Sequence, residues 1–219
     1  MNRNQIEANF SVDRLSKYFA KYPANEPKAL YLYEANLLLS EALYTPLSIL
    51  EVALRNKINE QLKRKYKRDD WYADWYKDPI MHFAWYEINS AISHLHKDKK
   101  VIMPDKVIAG LMFGFWTSLF NDKFEKELWH DLRFVFPNMP KKIRQRTNVS
   151  KPLNDIRRTL RNRIYHNEPI SFNLTALETH HQNILQLLEW MGTDLLTYNN
   201  TKDRFKTTLL QVNTKLNAL

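Results

Sequence analysis

Apolar residues recur at steps of three and four over most of the chain. The clearest stripes lie in segments 46–67 and 173–196 and consist of Leu47, Leu50, Leu54, Ile58 and Leu62, and of Leu177, His181, Ile184, Leu188, Met191 and Leu195. This spacing is that of an α-helix that buries one face, and no strand-like alternation of convincing length occurs. We therefore expect an all-α bundle of long antiparallel helices, with those at 45–66 and 150–167 in the centre.

Capping residues and prolines divide this pattern into separate helices. Ser11 is a predicted N-cap, one helix is expected over Pro27–Ala42, and Pro46 is expected to open the next one. The segment 136–140 contains two prolines, which predict a break before the basic part of the chain.

The composition fits one helical domain over residues 1–219, with a core at about 27–198 and a C-terminal helix at 202–217. Hydrophobic residues make up 44% of the chain, which is enough for a substantial core. Only 3 glycines occur, which disfavours β-sandwich, Rossmann and P-loop folds. Cysteine is absent, which excludes disulfides and thiolate metal sites. Carboxylates and histidines do not cluster at metal-ligand spacing, so we expect no metal and no cofactor.

The N-terminal segment lacks an apolar stretch of signal-peptide length. The longest nearly apolar run, 107–116, is too short to span a membrane. We therefore expect a cytoplasmic protein without a membrane partner.

Positive charge is concentrated in two segments of a chain whose net charge is +9. Segment 141–165 holds nine basic side chains and one acid, and segment 55–68 holds seven and one. Such density indicates a polyanionic partner, although a solvated basic face has the same composition. For an RNA partner, the expected contacts are Arg144, Arg146, Arg157, Arg158 and Arg163.

Segment 141–165 and the residue after it contain the side chains that RNA cleavage requires. Asn162 directly follows Arg161, and four residues separate Arg161 from His166. A histidine titrates near neutral pH and can take the proton of a ribose 2′-OH, while an arginine can hold the phosphate with two donors. An asparagine can orient either group, and no metal is needed. The alternative is an ordinary helix end, where arginine and histidine complement the dipole.

The helical period also predicts the direction of these side chains. At about 100° per residue, Arg158, Arg161, Asn162, Tyr165 and His166 lie on the side opposite an apolar stripe of Ile156, Leu160 and Ile164.

Three further residues are candidates for a supporting role: Tyr165, Glu51 and Arg55. Glu51 and Arg55 are four residues apart on one predicted helix. They form either an ordinary exposed pair or a support in which Glu51 orients Arg161 or His166. His181, on an apolar stripe, is expected to be a core histidine rather than a metal ligand.

Three parts of the chain together resemble a known family. The segment RNRIYHNEPI at 161–170, with LEVALRNKI at 50–58 and GLMFGFW at 110–116, resembles HEPN ribonucleases in the form found in Abi-like, abortive-infection proteins. The resemblance covers about residues 10–195. It implies a HEPN-type helical bundle with Arg161, Asn162 and His166 as catalytic residues.

The resemblance also implies a function and partners. HEPN ribonucleases cut RNA without a metal, leave 2′,3′-cyclic phosphate ends and usually form one composite site across a homodimer. Abi-like proteins act in phage defence, and some relatives are toxins restrained by a small RNA, so an RNA or an antitoxin is an expected partner. Apolar dimer contacts are expected from the aromatics at 71–76 or from the C-terminal stretch 209–219. A non-catalytic RNA-binding module and a protein-interaction module of a defence system remain as alternatives.

Overall fold

The computed structural model describes residues 3–219, and every regular element in that range is helical. The chain begins with two short helices, α1 (Arg3–Phe10) and α2 (Val12–Lys21). Ser11 Oγ accepts a hydrogen bond from the Arg14 N–H at 3.4 Å, which confirms the predicted N-cap. The all-α class is confirmed as well.

The longest element is α3 (Glu26–Tyr66), a helix of 41 residues. The predicted division into two helices at Pro46 is wrong, because α3 continues through this proline. Pro46 supplies no N–H for the preceding turn, a loss that costs about 3 kcal/mol in a helix interior. Leu43 and Leu47 are fully or almost fully buried on either side of it. The burial of one continuous apolar face therefore outweighs the missing bond.

Shorter elements follow α3 and complete the core on one side of it. They are α4 (His82–Lys97), α5 (Pro104–Gly110), α6 (Phe113–Ser118) and α7 (His130–Leu132), with 3₁₀ turns at Trp75–Lys77, Asp122–Phe124, Arg133–Val135 and Lys141–Ile143 and a π turn at Glu125–Trp129. The indole Nε1 of Trp71 donates to Asn59 Oδ1 at 2.8 Å, which fastens the connection after α3 back onto that helix. The expected exposed aromatics at 71–76 are therefore mostly core: Trp71, Tyr72 and Trp75 are buried, and Tyr76 is exposed.

One continuous helical segment, 146–165, carries the predicted motif and is called the motif helix. It consists of α8 (Arg146–Asp155), a π turn at Ile156–Arg161 and α9 (Asn162–Tyr165). In the π turn the Asn162 N–H bonds to the Arg157 carbonyl, five residues back instead of four. The motif helix runs antiparallel to α3, because Arg161 lies beside Glu51 while the later residue Ile170 lies beside Asn36.

Three helices close the other side of the bundle. They are α10 (Leu174–Met191), α11 (Thr193–Asn200) and α12 (Phe205–Ala218). The helix predicted over 173–196 ends early, at Met191, and a separate helix, α11, begins at Thr193 after the extended residue Gly192. The C-terminal stretch packs on α3, antiparallel to it, with Arg204 beside Glu41 and Lys215 beside Glu34. Its residues Phe205, Leu209, Val212 and Leu216 are buried in the core, whereas Leu210 and Leu219 are 69% and 41% exposed, so only these two large apolar residues of 209–219 are accessible for a dimer contact.

The length and composition of α3 also meet the criteria for a membrane-spanning helix, alone among the helices of residues 3–219. Its most apolar stretch of 18 residues has a mean hydropathy of 1.5 and is 39% buried within the protein. The core helix of a folded domain meets the same criteria. The expectation of a cytoplasmic protein stays a prediction.

Candidate functional site

Arg161 is held between α3 and its own helix. Its guanidinium carbon lies 4.1 Å from the centre of the Tyr165 ring, and its Nε lies 3.6 Å from Glu51 Oε2. The side chain is only 14% exposed. Within residues 3–219 its guanidinium makes no hydrogen bond, and Nε is buried without one. The ring and the carboxylate therefore position the group while its terminal donors stay free for a phosphate.

Tyr165 completes this cluster and keeps its proton. Burial, followed by the negative charge of Glu51 and the neighbouring Tyr44, raises the pKa of the Tyr165 hydroxyl above its ordinary value. The rings of Tyr44 and Tyr165 lie 6.4 Å apart. Tyr165 therefore presents a neutral ring to Arg161, and its hydroxyl can donate a hydrogen bond near neutral pH.

Asn162 and His166 lie one turn apart at the exposed end of the motif helix. The His166 N–H donates to the Asn162 carbonyl at 2.9 Å, and His166 is the C-cap residue. Asn167 then adopts a left-handed conformation with φ of 54°, which ends the helix. Both side chains are exposed, beside the more covered Arg161.

Asn36 fixes the chain directly after His166. Its Oδ1 accepts hydrogen bonds from the N–H groups of Ile170 at 2.6 Å and Ser171 at 3.1 Å. The Ser171 hydroxyl in turn donates to the Leu32 carbonyl at 3.1 Å. Asn36 is a buried polar residue on the apolar face of α3. Asn36 is not among the residues predicted from the sequence. A lone amide within an apolar stripe could have indicated it, because a buried amide needs a hydrogen-bond partner.

The π turn lies directly before the motif, where five residues instead of four close the turn at Ile156–Arg161. Arg161 lies against Glu51 of α3, whereas Asn162 and His166 are exposed. The polar side of the motif helix is therefore partly covered by α3 at Arg161. π turns are rare and occur frequently at functional sites.

Comparison of the chain with protein-family models, curated proteins and solved structures finds no match. The chemistry of the site has to be inferred from its own residues.

Two of the predicted RNA contacts have their guanidinium groups occupied within the fold. Arg146 donates to the Phe120 carbonyl at 2.9 Å and pairs with Asp122 at 2.7 Å and Glu125 at 2.9 Å. Arg144 donates to the carbonyls of Pro137 and Met139, which closes the break before the motif helix. Both arginines hold loops against the bundle, and we do not place them in an RNA interface.

The other three predicted contacts differ in how free they are. Arg157 packs its guanidinium near the Cα of Gly114 and donates to Asn154 Oδ1 at 3.3 Å. Arg163 donates to the Pro169 carbonyl at 3.3 Å and has Glu168 at 3.8 Å, but half of its side chain stays exposed. Arg158 is exposed and makes no side-chain hydrogen bond or ion pair within residues 3–219. Arg158 is therefore the most available cation of the five.

The basic segment 55–68 is also partly neutralised. Lys63 pairs with Asp69 at 3.1 Å, Lys65 with Asp131 at 2.7 Å and Arg68 with Asp70 at 2.6 Å. Arg55 donates to Asn56 Oδ1 at 3.2 Å and has no ion pair with Glu51, whose carboxylate lies beside Arg161 instead. Of the two arrangements considered for Glu51, the geometry is that of a support for Arg161.

His181 is buried and its Nε2 lies 2.5 Å from Asp203 Oδ2. Although burial alone raises the pKa of Asp203, hydrogen bonds from His181, the Phe205 N–H and Asn199 hold it below the ordinary value. His181 is thus a satisfied core residue that fastens α10 to the start of α12. Within residues 3–219, no three His, Cys, Asp or Glu side chains are grouped to hold a metal ion.

Proposed function

We propose that this protein is a metal-independent endoribonuclease of the HEPN type, with Arg161, Asn162 and His166 in its active site. The observation that carries the proposal is the position of Arg161. Glu51 and Tyr165 hold its guanidinium five residues before the exposed His166, and no intramolecular hydrogen bond within residues 3–219 occupies it. A positioned cation and an exposed histidine that reach the same phosphodiester are the minimum that cleavage of RNA requires.

The reaction is an attack of a ribose 2′-oxygen on the adjacent phosphorus. His166, as the neutral imidazole, takes the proton of the 2′-OH while the new oxygen–phosphorus bond forms. The bond to the 5′-oxygen breaks, and that oxygen takes a proton from an acid or from water. The products are a 2′,3′-cyclic phosphate and a 5′-hydroxyl end. Arg161 stabilises the charge that develops on the phosphate oxygens, and Asn162 orients the phosphate or the imidazole.

A second copy of the chain is part of the proposal. The exposed end of one helix is convex and cannot surround a phosphate, whereas a two-fold axis places two identical patches opposite each other. Tyr44, Val52 and Tyr165 are exposed near the motif and offer apolar contact for such a dimer. They join the exposed members of the two earlier candidates, which are Tyr76 in 71–76 and Leu210 and Leu219 in 209–219.

The cellular role is proposed from the resemblance alone. It is that of a cytoplasmic toxin or phage-defence effector whose activity is restrained by a small RNA or another antitoxin.

The decisive experiment compares His166→Ala with the wild-type protein on RNA in the presence of EDTA. We expect the wild type to cut and the variant to lose about 10²- to 10⁴-fold in rate, since that is the usual contribution of a general acid or base. His94→Ala, which removes an exposed histidine from α4, is the matched control and should cut like the wild type.

Three outcomes would contradict the proposal. A requirement for Mg²⁺ or Mn²⁺ would exclude the mechanism. Equal loss of RNA binding and cleavage in His166→Ala would favour an RNA-binding module. A wild-type protein with no salt-dependent RNA binding would favour a protein-interaction module.

A further inference from the structure

A cluster of aromatic side chains is exposed where α4 begins. Phe83 and Tyr86 are 61% and 60% exposed, and Tyr76 from the preceding turn is 48% exposed. We call these residues, with the partly buried His82 and Trp85, the α4 aromatic surface. Isolated exposed aromatics are common, but a contiguous group of them marks a contact surface.

Four rings of the α4 aromatic surface, those of Tyr76, His82, Trp85 and Tyr86, support one another. The His82 ring stacks on Trp85 with 5.8 Å between centroids and 14° between planes, and its edge meets Tyr86 at 4.7 Å. Trp85 also lies 5.9 Å from Tyr76 and 6.1 Å from Tyr86. The Tyr86 ring is thus already ordered, so a base that stacks on it loses little entropy in fixing it, whereas Phe83 is held by the ammonium group of Lys123.

One unpaired cation borders this surface. The ammonium group of Lys123 lies 4.3 Å from the centre of the Phe83 ring. Among residues 3–219 no carboxylate lies within ion-pair distance of Lys123, whereas Lys77, beside Tyr76, is paired with Asp74 at 2.6 Å. Lys123 therefore has a charge available for a ligand that reaches Phe83.

The α4 aromatic surface adjoins the motif helix through Glu87. Burial raises the pKa of the Glu87 carboxyl, and the positive charges of Arg157 and Lys123 oppose this shift, so both cations lie near it. Glu87 directly follows Tyr86, and Arg157 lies four residues before Arg161. Glu87 therefore places the start of α4 beside the motif helix at Arg157.

We propose that the α4 aromatic surface binds single-stranded RNA, with bases stacked on Phe83 and Tyr86 and a phosphate at Lys123. The exposed members of the cluster are flat rings rather than aliphatic side chains, and a free cation lies beside them. This combination suits unpaired bases and a phosphate backbone, because every base has a face that can stack. The choice of RNA over DNA rests on the proposed ribonuclease function.

The test measures the binding of a fluorescent 12-nucleotide single-stranded RNA by anisotropy, in a His166→Ala background that leaves the RNA uncut. The double variant Phe83→Ala/Tyr86→Ala should bind at least about 30-fold more weakly than its parent, because each of the two lost base–aromatic stacks contributes about 5- to 150-fold in affinity. Tyr198→Ala is the matched control, since Tyr198 is 58% exposed on α11, and it should bind like the parent. Equal melting temperatures verify that the variants fold.

Two further measurements separate stacking from charge. An abasic oligomer of the same length should bind the double variant and the parent equally, because it has no bases to stack. Lys123→Gln should reduce the slope of log K against log salt by about 0.7, the value for one phosphate contact on a single strand.

The inference is overturned if the double variant binds the RNA as tightly as its parent, or if the parent binds no RNA. It is also overturned if the double substitution weakens binding of the abasic oligomer as much as binding of the RNA, since the surface then contacts something other than bases. Cleavage by the wild type is scored separately. If the double variant binds RNA more weakly but the wild type cuts no RNA, the α4 aromatic surface is supported and the ribonuclease proposal is refuted. If the wild type cuts RNA but the double variant binds as tightly as its parent, the ribonuclease proposal is supported and the α4 aromatic surface is refuted.

Discussion

Arg161 differs from the other arginines of segment 141–165 in what surrounds its guanidinium. Arg144 and Arg146 donate to carbonyls and carboxylates inside the fold, while Arg161 has a ring on one face and a carboxylate at 3.6 Å. A partly buried ion pair and a cation–π contact together stabilise the folded state by only about 1–3 kcal/mol. Their larger effect is to limit the positions that the guanidinium can occupy.

Replacing Glu51 by Gln tests this positioning role. We expect cleavage to slow by about 10- to 100-fold, the usual effect of displacing a catalytic group by about 1 Å. The pKa of Tyr165 should fall as well, because the charge of Glu51 is one of the causes that raise it. NMR of labelled tyrosine rings measures this pKa, with Tyr165→Phe for assignment.

Glu60→Gln, on an exposed position of the same helix, is the control and should change neither the rate nor the titration. An unchanged Tyr165 titration in Glu51→Gln would show that the carboxylate does not act on this cluster.

At the scale of elements, the sequence predicted helices well and their irregularities poorly. The stripes on α3 and α10 are buried as expected, apart from Leu195, which is half-buried. Pro46 predicts a helix start because its local effect is visible in the sequence, whereas the packing that overrides it is not. The π turn cannot be predicted for a similar reason, since a period of 3.6 residues describes only regular helix.

The hydrogen bonds that Asn36 accepts from Ile170 and Ser171 lead to a prediction about the end of the motif helix. Asn36→Ala removes the acceptor for two buried N–H groups, so the free energy of unfolding should fall by about 1–3 kcal/mol. The amides of Ile170 and Ser171 should lose protection against hydrogen exchange before the rest of the core does. Asn56→Ala, which removes an exposed amide from the same helix, is the control.

If both amides stay protected in Asn36→Ala, another group must hold the segment after His166, and the assigned role of Asn36 is wrong.

At the scale of the whole molecule, the charge of a segment does not predict how positive the protein surface is there. Segments 55–68 and 141–165 looked uniformly basic, but folding places acids from elsewhere beside many of these side chains. Asp122 and Glu125 pair with Arg146, which lies 24 and 21 residues further along the chain, and Asp131 pairs with Lys65, which lies 66 residues before it. Such pairings depend on tertiary structure, so composition alone could not reveal them.

The proposed homodimer is tested by mixing two inactive chains, Arg161→Ala and His166→Ala. Each mixed dimer holds one intact arginine and one intact histidine on opposite protomers, so a composite site should regain part of the activity. Light scattering measures the oligomeric state in parallel, and Tyr44→Asp should weaken the dimer because it places a charge in the apolar contact.

A wild-type protein that is monomeric at assay concentrations and cuts RNA at full rate would rule out the shared site. The absence of rescue in mixed dimers of demonstrated composition would do the same.

The π turn at Ile156–Arg161 lies before the regular part of the motif helix, so it does not affect the geometry within that part. Asn162–Tyr165 is regular α-helix, so the spacing between Asn162 and His166 is set after the turn. Deleting one residue from the turn would restore the four-residue closure, and because the wider turn holds its extra residue at a smaller rotation per residue, the helix beyond it would keep nearly the same face toward α3. A single insertion or deletion at this turn can therefore be absorbed during evolution without redirecting the motif or altering the distances within it.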